Sequence, residues 1–207
     1  MMGDKSLIVL CLLCIYGCSV TVEQRAYGGH QNPAICRSTK CPKYKVLKKY
    51  EGFEYRLYEP SNWVMTSLSD NNDITCADRL SKYMDGFNEQ GIKIEMTSPV
   101  VIAFSTENAS KDVVLFFLPP EVGCPFPLDN TVHCKKIPAV PVYVKSFEGN
   151  HGVRYFADQA TALARELGAL KKPFVGSFFG CNRYNNDHHS NSFHNEVWLL
   201  GSEPLDE

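Results

Sequence analysis

The chain has 207 residues, 44% of them hydrophobic, and a formal net charge of −2. One ordinary domain with a substantial core fits that length. The near-neutral balance offers no electrostatic case for nucleic acid, which normally demands a basic face.

At the N-terminus Ile8–Tyr16 is a short apolar run behind Lys5, followed by the small residues Gly17, Cys18 and Ser19. The run is too short to span a bilayer, and its flanks suit a secretory signal cleaved near Ser19. The alternative is a retained membrane anchor. A lipid-modified Cys18 fits poorly, because the bulky Tyr16 stands two residues before it. Residues 1–19 are thus expected to leave, 20–43 to form an extension and 44–202 to fold. No second apolar run is long enough to cross a membrane. Lys43, Lys45, Lys48 and Lys49 alternate with apolar residues as on the solvated side of a strand.

Two matching units follow, each reading strand, helix, strand, strand. In the first, Phe53, Tyr55 and Leu57 alternate with Glu54, Arg56 and Tyr58, the period of a half-buried strand. A helix is expected near 73–88, with Asp73 at its start and Ile74, Ala77, Leu80, Met84 and Phe87 on one face. Strands at 96–102 and 113–118 complete the unit, and Pro119-Pro120 closes it. The segment up to Pro138 reads as a long proline-bearing connection. The second unit opens with a strand at 140–147. Its helix, near 154–170, carries the stripe Phe156, Ala160, Leu163, Leu167 and Leu170, and Pro173 prevents continuation. Strands at 174–181 and 196–200 end it. A duplicated unit of this kind builds one closed sheet with a helix per half, and such sheets usually hold ligands.

Three of the nine cysteines, Cys11, Cys14 and Cys18, lie in the leader. An even number in an exported chain favours disulfides. Loop proximity favours Cys36–Cys41 and Cys124–Cys134, leaving Cys76 and Cys181 to pair or remain buried thiols. The spacings match no zinc ribbon or finger. Asn108-Ala109-Ser110 is a glycosylation acceptor between two apolar strands, which agrees with export. Enzymatic signatures are absent: there is no Gly-rich phosphate loop, no His-Glu-x-x-His and no Gly-x-Ser-x-Gly elbow. The dipeptides Cys41-Pro42 and Cys124-Pro125 look like heme-regulatory motifs, which need a free thiolate that oxidised cysteines cannot supply.

Five ordered segments carry a resemblance. They are Phe53-Glu54-Tyr55-Arg56-Leu57-Tyr58-Glu59-Pro60 with Trp63-Val64, Met96-Thr97-Ser98-Pro99-Val100, Phe117-Leu118-Pro119-Pro120, Val142 to Gly149, and Asn195-Glu196-Val197-Trp198-Leu199-Leu200. In these the chain resembles the SOUL, or heme-binding protein, family. The resemblance implies an α+β fold, a distorted antiparallel β-barrel flanked by two long helices in two pseudo-symmetric halves. It implies noncovalent binding of heme or a related tetrapyrrole in an apolar cleft, without catalysis.

Carried onto this sequence, the family's cleft falls at Ala77, Leu80, Ser81, Lys82 and Met84, with Arg183 to His194 opposite. Lys82 would face a propionate; alone, Leu80 and Met84 read as core and Lys82 as a solvated side chain. Some members place a histidine, considered an iron ligand, where this chain has Leu57, so ligation from that point is excluded. The remaining candidates are His188, His189 and His194, which with Asp187 could also bind zinc or copper, or form a polar surface loop. The function expected is that of an extracellular, monomeric carrier or scavenger of heme. The rival is an extracellular signalling or interaction protein that uses the barrel as a scaffold.

Overall fold

The computed structural model describes residue 36 and residues 39–68, 73–184 and 193–202. The expected signal at 1–19 and the candidates His188 and His189 lie outside the described residues. In chain order the elements are β1 (Tyr44–Tyr50), β2 (Phe53–Tyr58), β3 (Ser61–Ser67), α1 (Asp73–Met84), β4 (Val100–Ser105) and β5 (Val113–Leu118). Then come β6 (Val132–Ile137), β7 (Val140–Glu148), α2 (Val153–Ala169), β8 (Phe178–Tyr184) and β9 (His194–Leu200). The nine strands form one antiparallel sheet in the order β1-β2-β7-β9-β8-β4-β5-β3-β6.

This order explains the curl of the sheet. Only Glu59 and Pro60 separate β2 from β3, and only Pro138 and Ala139 separate β6 from β7. Yet each linked pair spans nearly the whole width of the strand order. The three Cα–Cα steps of such a link reach about 11 Å at most, so the sheet must bend until its ends approach each other. Among the described residues β1 and β6 remain unpaired edges, so the sheet is a curled half-barrel and not the closed barrel expected.

Both helices cover the same face. Ile102 of β4 packs against the core under α1 and also against the core under α2. Among the described residues the opposite face has no helix, but it buries Trp63, Met65, Val101, Leu115 and Phe117 in one cluster and Tyr58, Val142 and Val144 in another. Its cover is the bent sheet itself.

The helix of the second unit matches expectation within one residue at each end. Its buried stripe is Phe156, Ala160, Leu163 and Leu167, and burying each large side chain contributes roughly 1.5–3 kcal/mol before ordering costs. Leu170, expected in that stripe, is exposed, since it caps the C-terminus. The first helix is shorter than expected. It stops at Met84, where Gly86 takes a positive φ of 108°, a conformation that favours glycine. Its buried residues are Cys76, Leu80, Tyr83 and Met84, so the inward stripe is rotated from the expected one, leaving Ala77 and Phe87 exposed. Tyr83 can turn inward because its hydroxyl donates to the Pro125 carbonyl at 2.8 Å.

Further departures concern strands. The segment 132–137, expected as connection, is β6, and the strand expected from 96 begins at Val100. Around Met96–Val100 the backbone is pinned differently: Thr97 Oγ1 donates to the Phe117 carbonyl at 2.7 Å, and Ser98 N to the Lys40 carbonyl at 3.0 Å.

Both expected disulfides are present, Cys36–Cys41 and Cys124–Cys134, each with Cα atoms 6.1 Å apart. Cys76 and Cys181 are separate buried thiols in different core clusters. Burial pushes the Cys181 thiol up to about 12, against a smaller opposing effect of Arg183. A thiol reagent at pH 8 is therefore expected to leave both unmodified in the folded protein and to label both after denaturation. Peptide mapping checks this, and labelling of either in the folded state would contradict the burial. Asn108 is exposed and its side-chain oxygen accepts from Ser110 N at 2.9 Å.

Candidate functional site

The residues expected to line one cleft fall in two places. On α1, Leu80 and Met84 belong to the core beneath the helix, with Val64, Val114 and Phe116. Ala77 and Lys82 are exposed and Ser81 is half-buried, so these three form the helix's outer flank. Arg183 lies on β8, beside α2. Its guanidinium donates to the His151 carbonyl and sits 5.4 Å from the centre of the Phe156 ring. The Arg183 side chain is thus joined to the start of α2, away from the helix expected to face it.

The richest polar cluster lies on the helix-free face. Glu196 of β9 is only 2% exposed and Arg56 of β2 only 5%. One oxygen of Glu196 accepts from Arg56 Nη1 at 2.8 Å, and from Ser146 Oγ and His194 Nε2 at 3.4 Å. The other accepts from Trp198 Nε1 at 2.8 Å and Tyr184 Oη at 3.0 Å. Arg56 also donates through Nε to Glu54 at 2.8 Å and lies 4.3 Å from the Tyr44 ring centre. Burial alone would raise the Glu196 carboxyl. Its bond to His194, the Arg56 charge and the Trp198 donor outweigh burial and hold it at about 2.

His194, expected as a metal ligand, belongs to this cluster. Its Nδ1 lies 2.8 Å from Glu148 Oε1 and its Nε2 faces Glu196. Burial opposes the charged ring, but the bonds to Glu196 and Glu148 win and raise its pKa. As placed, both ring nitrogens face carboxylate oxygens. Every component is already engaged, so the cluster reads as a joint between β2, β8 and β9.

An open, apolar cleft is found elsewhere, between β6 and the turn before it. It has a volume of about 460 Å³ and is lined by Phe126, Leu128, Val132, His133 and Lys135, among others. Phe126 is 69% exposed and Leu128 55%, with Phe87 nearby at 51%. The turn is held in place from several sides. Leu128 N donates to the Phe87 carbonyl at 3.5 Å, Glu89 N to the Phe126 carbonyl at 2.8 Å, and Cys124–Cys134 staples the turn to β6. Hydrogen bonds from Thr131, aided by the charges of Arg79 and Lys82, hold the Asp129 carboxyl below its usual range. Sequence reasoning missed this cleft, because 120–138 read as connection. Its one legible signal was Phe126 and Leu128, two large apolar residues in a proline-bearing turn.

Among the described residues no three His, Cys, Asp or Glu side chains converge as a metal site. No described helix is long and apolar enough to cross a membrane.

Comparison with known proteins gives a family and a fold. A family model described as SOUL heme-binding protein matches residues 39–200. The chain is 30% identical over 158 residues to heme-binding protein 2 from Homo sapiens, covering 72% of this chain and 77% of that one. It is 29% identical over 170 residues to heme-binding protein 1 from Xenopus tropicalis, covering 75% and 89%. Among solved structures, a hydrolase from Listeria innocua superposes with a TM-score of 0.50 at 8% identity, over 75% of this chain and 94% of that one. At that identity the likeness concerns the fold alone.

Proposed function

The chain belongs to the SOUL heme-binding protein family, and from that premise we propose that it binds heme or a related tetrapyrrole noncovalently. Family membership carries this reading. An apolar opening beside α1 supports it, because a porphyrin needs apolar walls for its ring and cations for its propionates. Exposed Phe87, Phe126 and Leu128 supply apolar surface there, and such a concentration of large exposed apolar residues commonly marks a binding site. Lys82, whose charge reaches Asp129 of that turn, would offer charge to a propionate, and on the family's pattern Ala77, Leu80, Ser81 and Met84 of the same helix would complete the site. The protein is a carrier or scavenger and not a catalyst. We place it outside the cell on the strength of the leader and the two disulfides.

Hemin titration tests the reading. We expect a Soret shift that saturates at one equivalent, on protein lacking residues 1–19. Shallow uptake without saturation would overturn it and favour a scaffold that binds other macromolecules. Secretion is tested separately by intact mass of exported material, in which retention of Met1 would count decisively against the leader.

A further inference from the structure

The two outer strands of the sheet differ as edges. Along β1 the pairing with β2 shifts between Val46 and Lys48, Lys48 lies over the Tyr50 ring and Lys49 pairs with Glu54. Such a bulged, charge-covered edge resists the addition of another strand. β6 instead pairs with β3 in unbroken register, from the Ser61–Ile137 pair to the Thr66–Val132 pair. Among the described residues no strand pairs with its other side, so alternate N–H and C=O groups along the strand stand open.

The side chains of β6 divide by face. Val132 and Cys134 join the core beneath α1, on the side of the turn that exposes Phe126 and Leu128. His133 and Lys135 register against Met65 and Trp63 on the opposite face, where Ile137 packs. The strand carries Lys135 and Lys136 and no acid, and neither lysine forms an ion pair with a described residue.

We propose that the β6 edge is a docking site for an extended segment of a partner protein in which acidic and apolar residues alternate. The segment adds one strand to the sheet. Its main chain closes the open hydrogen bonds, and its side chains point in turn to the two faces. Carboxylates at one parity meet His133 and Lys135 on the helix-free face. Apolar residues at the other parity meet Val132 and the exposed Phe126 and Leu128. The Cys124–Cys134 bridge fixes that turn to the middle of the strand, so the apolar half of the site is preformed. Charge selects this occupant over a second copy of the chain. Two β6 strands paired antiparallel in a central register set the lysines against each other or against His133, and like charges directly opposite are destabilising. Lysines commonly protect a bare edge in this way. A row of carboxylates reverses the effect.

The probe is a labelled, end-blocked hexapeptide of alternating Glu and Val, titrated by fluorescence anisotropy into the full mature chain. Saturable binding at one equivalent is expected. It should weaken at least about tenfold when alternate amide nitrogens of the peptide are methylated, which keeps the charge and removes the strand hydrogen bonds. Lys135→Glu/Lys136→Glu should melt like wild type and bind the peptide at least about tenfold less tightly. It should also gain affinity for a peptide with Lys in place of Glu. Equal binding of the methylated peptide would overturn strand addition and leave charge attraction alone. Unchanged affinity in the double variant would remove the lysines from the site. No saturable binding by wild type would show β6 to be an edge that its lysines only protect. A ligand-free dimer in sedimentation that the peptide dissociates would assign the edge to a second copy. None of these readouts uses hemin, so the tetrapyrrole reading stands or falls separately.

Discussion

Glu196→Ala is expected to cost about 3–5 kcal/mol, enough to unfold much of the population of a domain of ordinary stability. The deletion strands a buried Arg56 guanidinium, which keeps only Glu54 as a carboxylate partner, and leaves the Trp198, Tyr184 and Ser146 donors unpaired. Arg56→Ala should be similarly damaging from the other side. Substitution of the two together by apolar residues is expected to recover part of the loss, because no lone charge is then buried. Chemical denaturation of the three variants checks this. Equal stability of wild type and Glu196→Ala would show that the network contributes nothing.

The same network gives a pH dependence of definite sign. The Glu196 carboxyl is lowered from 4.5 to about 2, so its contribution is present above 4.5 and disappears as pH falls through about 2. The His194 pKa is raised from 6.5, so its contribution is full below 6.5 and is lost as pH rises through the folded-state value. Between pH 4.5 and 6.5 both are present, and the network stabilises most there. His194→Gln should flatten the alkaline side of the stability profile and leave the acidic side in place.

The second large effect concerns α1. Leu80→Asp is expected to destabilise by several kcal/mol whether or not heme is present. Leu80 is fully buried, among Val64, Tyr83, Val114 and Phe116, so a carboxylate there faces packed hydrocarbon instead of a ligand. Leu80→Ala, which leaves a cavity without a charge, should cost about 2–5 kcal/mol. Thermal melts of the ligand-free protein separate the two possibilities. A Leu80→Asp variant that melts like wild type but loses hemin would place Leu80 against the porphyrin after all.

Much of the fold was legible in residues whose neighbours lie close in sequence. The α2 stripe and the two short-loop disulfides depend on local spacing, and both came out as expected. The family segments also turn out to be joints. Arg56 meets Glu196 and Thr97 meets the Phe117 carbonyl, while Asn195 Nδ2 donates to the Gly149 carbonyl at 2.8 Å. What escaped were features created by curling. Arg56 and Tyr58 occupy the polar phase of an alternating strand and so read as solvated, but the bent sheet buries that face too. Their main partner, Glu196, is 140 residues from Arg56 in sequence, which no periodicity can reveal. β3 is buried on both faces over Trp63–Thr66 and shows no alternation to detect. In β6 only Val132 is fully buried, and Lys135 and Lys136 suit an unpaired edge, so the strand resembles a turn.

The two short links between opposite ends of the sheet constrain how the chain can be made. β2 is synthesised with the first half but pairs with β7, and β6 pairs back with β3 from the second. Neither half can complete its own hydrogen bonding, so the N-terminal half leaves the ribosome with unpaired strand edges and must wait for its partner. Separately expressed fragments cut near Pro120 should each be insoluble or unfolded, and should form native sheet only when refolded together. The exchange also makes this sheet a candidate for swapping between two copies: at high concentration β2 of one chain can find β7 of another before its own has emerged.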